Sequence, residues 1–465
     1  MDVKRLWNGR FLIVLSSLVL GLLLFLRNTG VREVHREIDA TSDSVTDPQP
    51  ASDDWPWWRG LASSNVVSTS APTLRWSASE NVAWRTSVPG RGHASPCLWG
   101  ERIFLSTSDV EHQTISLLCF DKETGLSLWQ TELHQGGFVE IHKKNSHASA
   151  TPASDGRFVY VTSCVNGALW VTAVDFTGRV EWRREAGPYS AEWGYGSSPA
   201  IHKSLVIVSA DNRGSGVDRL MGSSWLAALH RQTGEIVWRV KRPDGDSFGS
   251  PVVAHIADRD QLLLAGKDSV SSYDPTTGGV LWKCHWDAKR AANTVTFDGL
   301  HVYASSRHPQ SEIICIRADG EGDVTATHLV WREQKSACDV PSPCVHEGRL
   351  YSLCDDGVLT CLSAADGNMM WKRRLGGNVS SSPLIAGEHL FCCNEDGTTF
   401  VVKLGGRGEV VAENSLGDGI MASPVVSRDR LYIRTSTGLY CFAAPRSVPI
   451  ADEPEESRRR LSLSY

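Results

Sequence analysis

The chain has 465 residues, of which 41% are hydrophobic and 22% charged, the proportions of a globular protein with a sizeable core and not of a disordered, collagen-like or polytopic membrane chain. Lys plus Arg at 47 against Asp plus Glu at 53 gives a formal charge of -6. No basic excess exists to cover a phosphate backbone, which excludes nucleic acid as the main partner.

Residues 1–10 carry Lys4, Arg5 and Arg10 and lead into an apolar run from Phe11 to Leu26, FLIVLSSLVLGLLLFL. As a helix this run would span about 24 Å, slightly short of a hydrocarbon core of about 30 Å. It has the length of a signal-peptide core or of a short anchor. Leu24-Phe25-Leu26 offers no small-x-small cleavage pattern and no Cys follows, so the expectation is an uncleaved single-pass anchor over 11–26 and not a lipoprotein. Arg27, Arg32 and Arg36 nearly balance the charges upstream; the short amino end is placed in the cytoplasm and the rest outside it. Residues 27–54 then read as a disordered tether and 445–465 as a disordered tail.

Residues 81–444 are built from one repeated unit. Ser-Pro or Thr-Pro stands at Ser95-Pro96, Thr151-Pro152, Ser198-Pro199, Ser250-Pro251, Ser342-Pro343, Ser382-Pro383 and Ser423-Pro424, with Asn293-Thr294 filling the one double gap. A second series runs Trp84, Trp129, Trp182, Trp238, Trp282, Trp331 and Trp371, with Ala412 in the eighth place. Each unit divides into four short strands, and tight Thr-Gly or Asp-Gly pairs such as Thr124-Gly125, Asp319-Gly320 and Asp366-Gly367 mark the third turn; such pairs supply the positive φ that matches strand twist. Trp84 to Phe442 divided among eight units gives about 45 residues each, the size of a four-stranded propeller blade. The fold class is therefore all-β, an eight-bladed β-propeller. The last unit stops after its third strand, so Asn81 to Trp84 is expected to supply the missing fourth strand and close the ring without open sheet edges.

The segments Cys119-Phe120-Asp121-Lys122-Glu123-Thr124-Gly125-Leu126-Ser127-Leu128-Trp129 and Ala228-Leu229-His230-Arg231-Gln232-Thr233-Gly234-Glu235-Ile236-Val237-Trp238 resemble the tryptophan-docking repeat of pyrroloquinoline-quinone-like propellers. The resemblance implies that each Trp packs between neighbouring blades, a structural role. Trp55-Pro56-Trp57-Trp58-Arg59-Gly60 also looks like the lead-in segment of a membrane-attached or secreted branch of that family, which implies that 55–80 is a lead-in segment packing on the outside of the ring. It also implies two functional classes. Quinoprotein dehydrogenases hold the quinone over the channel with calcium, a catalytic Asp and a vicinal disulfide; assembly factors and other non-enzymatic propellers keep the repeats without a cofactor. Cys392-Cys393 is the one feature suggesting a dehydrogenase, yet it falls inside a second strand, and Cys119, Cys315, Cys361 and Cys441 recur at equivalent third-strand places. Cysteines repeated at blade spacing are too far apart to bond and read as small core hydrophobes.

Loop length adds the candidate site. The expected long insertions, Thr131 to Ala150, Arg183 to Ser197 and Ala210 to Ser223, all open on the face that carries the fourth-to-first and second-to-third connections, and functional loops gather on rigid scaffolds. They and their neighbours offer His93, His142, Lys143, Lys144, His147, Trp193, Tyr195, Asp211, Arg213, Asp218 and Arg219 as binding residues, with no catalytic residue and no metal ligand. The reading is a membrane-anchored, non-catalytic scaffold for a protein or small ligand, with no cofactor; the alternative is a calcium- and quinone-dependent dehydrogenase of an alcohol or sugar.

Overall fold

A computed structural model describes residues 33–35, 45–68, 72–190, 193–213 and 223–444. The expected anchor over 11–26, the tail from 445, and Asp218 and Arg219 lie outside the described residues. Among the described residues, no helix is long and apolar enough to cross a membrane.

Eight antiparallel sheets follow one another in chain order, each contributing four strands of a blade. Blade one is typical: Cys97–Trp99, Arg102–Asp109, Thr114–Asp121 and Ser127–Gln135. The second and third strands are buried almost throughout, whereas fourth strands alternate exposed and buried positions. This is the pattern of a sheet whose inner strands are covered on both faces by neighbouring blades and whose outer strand meets water. The core accordingly lies between blades; one cluster joins Tyr160 and Val171 of blade two to Val208 and Trp225 of blade three.

The ring closes through the chain ends. Val82–Ser87 pairs antiparallel with Gly438–Phe442, from Val82 opposite Phe442 to Ser87 opposite Gly438, so the eighth blade borrows its fourth strand from the amino-terminal side. In all eight blades the ladder between third and fourth strands slips by one residue beside the Trp position. A bulge re-aims the residue next to it, here the indole, toward the next blade. The residue opposite is small: Cys119 faces Trp129, Cys315 faces Trp331, Cys361 faces Trp371 and Cys441 faces Trp84. The recurring cysteines are thus the room the tryptophans need.

Six indoles lie on the third-turn glycine of the following blade, as Trp238 does on Gly278, where φ is +74° and an added Cβ would sit 2.7 Å from the indole. Only glycine combines that φ with so close an approach. Two blades depart from the rule. Blade five replaces the tight third turn expected at Asp319-Gly320 with a longer connection, and Gly322–Asp323 pairs with the edge of blade four opposite Trp282 and Lys283; the Trp282 indole donates instead to Gln261 Oε1 at 2.7 Å. Blade seven has Ala412, and Trp76 from the lead-in segment fills the space, stacked 6.2 Å from Phe391 and 5.1 Å from Phe442.

The Ser-Pro series forms the inner belt. Each backbone N–H donates to the next blade's hydroxyl: Ser95 to Thr151, Thr151 to Ser198, Ser198 to Ser250, Ser250 to Thr294, Thr294 to Ser342, Ser342 to Ser382, Ser382 to Ser423 and Ser423 back to Ser95, at 2.8–3.2 Å. The belt corrects the fifth register by one residue. Thr294, not Asn293, holds the serine place, while Asn293 donates to the carbonyls of Cys338 and Asp339.

Of the segment expected on the outside of the domain, the first part, Trp55 to Asn65, instead reaches the inner strands at one end of the channel. The Trp58 indole donates to Thr294 Oγ1 at 2.9 Å, Arg59 to the Pro343 carbonyl at 2.7 Å, and Asn65 to the Pro383 carbonyl at 2.5 Å; Trp55 bridges to Leu98. Parts of the expected tether also touch the propeller, because an outer strand leaves a free edge: Val34 and His35 pair with Arg239 and Trp238. Thr294 accepts from both Ser250 N and Trp58 Nε1. Replacing it by Val should strand the buried Ser250 N–H, at about 1–3 kcal/mol, and the half-buried Trp58 indole at less, a loss readable by chemical denaturation.

Candidate functional site

A cavity of about 390 Å³ lies on the ring axis. All eight belt hydroxyls line it, with Trp58 closing the far end and loops of the elaborated face forming the mouth. Along each entering strand the residue two before the belt hydroxyl also faces the cavity, among them His93, Ser149, Phe248, Ser380 and Met421. That is the period-two alternation of extended backbone, and it was the signal in the sequence that could have found Ser149, Phe248, Ser380 and Met421, which the loop argument missed.

Of the expected site residues, His93, His142, Lys144 and Trp193 line this cavity. Trp193 is a third exposed, sits 4.1 Å from the His142 ring, and lies under the Arg290 guanidinium at 5.6 Å. Its carbonyl accepts from Asn145 at 2.6 Å. Arg290 pairs with Asp339 at 2.7 Å, and Lys144 reaches across the mouth to Glu395 of blade seven at 3.2 Å. Lys143 lies at the rim of an adjoining cavity. Burial, then the nearby Arg434 and Arg91, holds His93 down at about 3, a neutral imidazole.

The others are placed differently. Tyr195 is buried with its hydroxyl donating to the Ser209 carbonyl at 3.1 Å, and Asp211 is buried in a two-pronged pair with Arg242 at 2.8 and 3.0 Å. Both are drawn inward by these partners on the third blade; separately, the strands Ser127–Gln135 and Val180–Pro188 absorb the starts of two expected loops. His147 stacks on Phe138 at 3.8 Å, and Arg213 pairs with Asp246 at 3.3 Å. Arg290, Asp339, Asp355 and Glu395 were not expected; they are charged residues in short loops, where only the ring's geometry reveals a shared mouth.

The residues do not suit a calcium–quinone centre. Cys392 and Cys393 point to opposite sides of their strand, Cys392 into the core shared by blades six and seven and Cys393 into the one shared by seven and eight; burial raises both thiols, Cys393 to about 12. A vicinal disulfide would have to break the extended geometry of His389–Cys393 and bring both sulfurs to one side. The mouth carboxylates are engaged: Asp339 by Arg290, Glu395 by Lys144 and Ser380, and Asp355 by the backbone amides of Asp339 and Val340. Among the described residues, no group of three or more His, Cys, Asp or Glu is placed to hold a metal.

These features define a tryptophan-docked, eight-bladed propeller with one end plugged and the other elaborated. The profile described as "Outer membrane protein assembly factor BamB" matches residues 113–328 and 266–411. The chain belongs to that PQQ_2 repeat family. An outer membrane protein assembly factor BamB of Bordetella pertussis is 24% identical over 364 residues, 74% of this chain and 82% of the relative; that of Yersinia pestis is 22% identical over 406 residues, 81% and 92%. The crystal structure of BamB from Moraxella catarrhalis superposes with a TM-score of 0.55 at 13% identity, covering 79% of this chain and 98% of that one. Quinohemoprotein alcohol dehydrogenase from Comamonas testosteroni gives 0.62 at 13% identity, covering 85% and 81%. At such identities the structural likenesses carry the fold alone.

Proposed function

We propose that the chain is a non-catalytic scaffold, anchored in a membrane through residues 11–26 with its propeller outside the cytoplasm, that binds a protein on the face bearing Trp193 and His142. One observation carries this reading: the charged groups at the mouth satisfy one another across blades. Lys144 with Glu395 and Arg290 with Asp339 leave a shaped polar and aromatic surface, not an acid or base poised over a substrate. The assembly-factor relatives support it, and the placement of Cys392 and Cys393 weighs against the dehydrogenase. The test is titration of the detergent-solubilised chain with pyrroloquinoline quinone and calcium in the presence of an electron acceptor and a panel of alcohols and sugars. No saturable quinone binding and no acceptor reduction are expected; turnover with any substrate would overturn the scaffold reading.

A further inference from the structure

Next to the axial mouth, where the loops entering blade one pass the eighth blade, lies a second cavity of about 520 Å³. Arg91, His93, Lys143, Lys144 and Arg434 line it, against one carboxylate, Glu395. That carboxylate is already shared: Lys144 lies 3.2 Å from it and Ser380 donates to it at 2.7 Å. Among the described residues, Arg91, Lys143 and Arg434 have no ion-pair partner.

Arg434 is the informative member. It is 2% exposed, and its Nη1 donates to the carbonyls of Ala94 at 3.1 Å and Ser106 at 2.9 Å. Neutral carbonyls fix its position but supply no countercharge, and a buried cation without one is costly. Burial pushes it down to about 9. The backbone beside it is shaped for it, since any side chain at Gly92, which lines the same cavity, would collide with Nη2. The Arg91 guanidinium, which also lines the cavity, donates to the Lys143 backbone carbonyl at 2.6 Å, which holds Arg91 beside the Lys143 segment. Three cations thus face a shared space that is large enough for a small molecule and deficient in negative charge. Planar guanidinium groups match carboxylate and phosphate oxygens in two-pronged geometry.

We propose that this cavity binds a small multivalent oxyanion, a carboxylate or phosphate, between Arg434 and the Arg91–Lys143 pair. The site is independent of whether the face also engages a protein. It is tested with the full chain in detergent by titration calorimetry at constant ionic strength, using citrate and pyrophosphate as probes, chloride as control and a hexaglutamate peptide as a mimic of an acidic protein segment. Saturable one-to-one binding of citrate or pyrophosphate is expected. The double variant Arg91→Ala with Lys143→Ala, both exposed and outside the core, should weaken it at least tenfold with unchanged melting, and Arg434→Met should weaken it likewise. Glu395→Gln should tighten binding several-fold, because it removes the opposing charge and frees Lys144. Absence of saturable binding, binding of the peptide alone, an unaffected double variant, or weaker binding in Glu395→Gln would each overturn the proposal.

Discussion

Removing residues 1–87 is expected to abolish cooperative folding, whereas removing residues 1–50 should leave a folded domain with nearly unchanged melting. The longer deletion takes away Val82–Ser87, which completes blade eight, and opens a sheet edge that a propeller otherwise protects. It also removes Trp55, Trp76 and Trp84, all buried. Burial of large apolar side chains contributes about 1.5–3 kcal/mol each, so three indoles and a strand rival a whole net stability of about 5–15 kcal/mol. Among the described residues the shorter deletion loses the edge pairing of Val34 and His35 with blade three and the Thr46 carbonyl that accepts from Arg231. Thermal melting followed by sheet circular dichroism and tryptophan fluorescence checks both; equal stability of the two truncated chains would mean the ring does not close through Val82–Ser87.

The second large effect is at the blade contacts. Trp238 is 1% exposed and lies on Gly278, so Trp238→Ala should cost about 3–5 kcal/mol through the cavity it leaves. Trp76→Ala should cost a comparable amount although Trp76 stands outside the repeat, because it occupies the place left by Ala412 between Phe391 and Phe442. Leu126→Ala, at a side chain 66% exposed, should stay within about 0.5 kcal/mol. Chemical denaturation of the three variants gives the comparison. A Trp76→Ala loss no larger than that of Leu126→Ala would show that the seventh contact is left unfilled.

The fold was legible because its units are local and repeated. Strand, turn and indole recur at fixed spacing, so Trp84 to Phe442 could be divided into blades and the missing fourth strand noticed. What spacing could not carry was anything that depends on the third dimension of the ring. The one-residue slip that puts Thr294 in the belt is silent in sequence, since Asn293-Thr294 offers two polar candidates and only the hydrogen bonds choose. Trp55 to Asn65 enters the channel by contacts with residues distant in sequence, such as Trp58 with Thr294, 236 positions away. Of the candidate site, His142, Lys144 and Trp193 were reachable from loop length, and His93 as a neighbour of those loops. Their partners Arg290 and Glu395 lie in short loops and become neighbours only when the ring brings the blades around. Tyr195 and Asp211 misled for the opposite reason, a polar group inside a nominal loop that the strands and Arg242 draw into the core.

The central claim, a scaffold that presents one face, is tested most directly by site-specific photo-cross-linking in native membranes. A photoreactive amino acid replaces either Trp193 or His142 at the elaborated mouth, or Leu126 or Met369, both exposed, at third turns on the opposite face. The account predicts a discrete protein adduct from positions 193 and 142 that is lacking from 126 and 369. Equal capture from both faces, or capture from 126 and 369 alone, would contradict it.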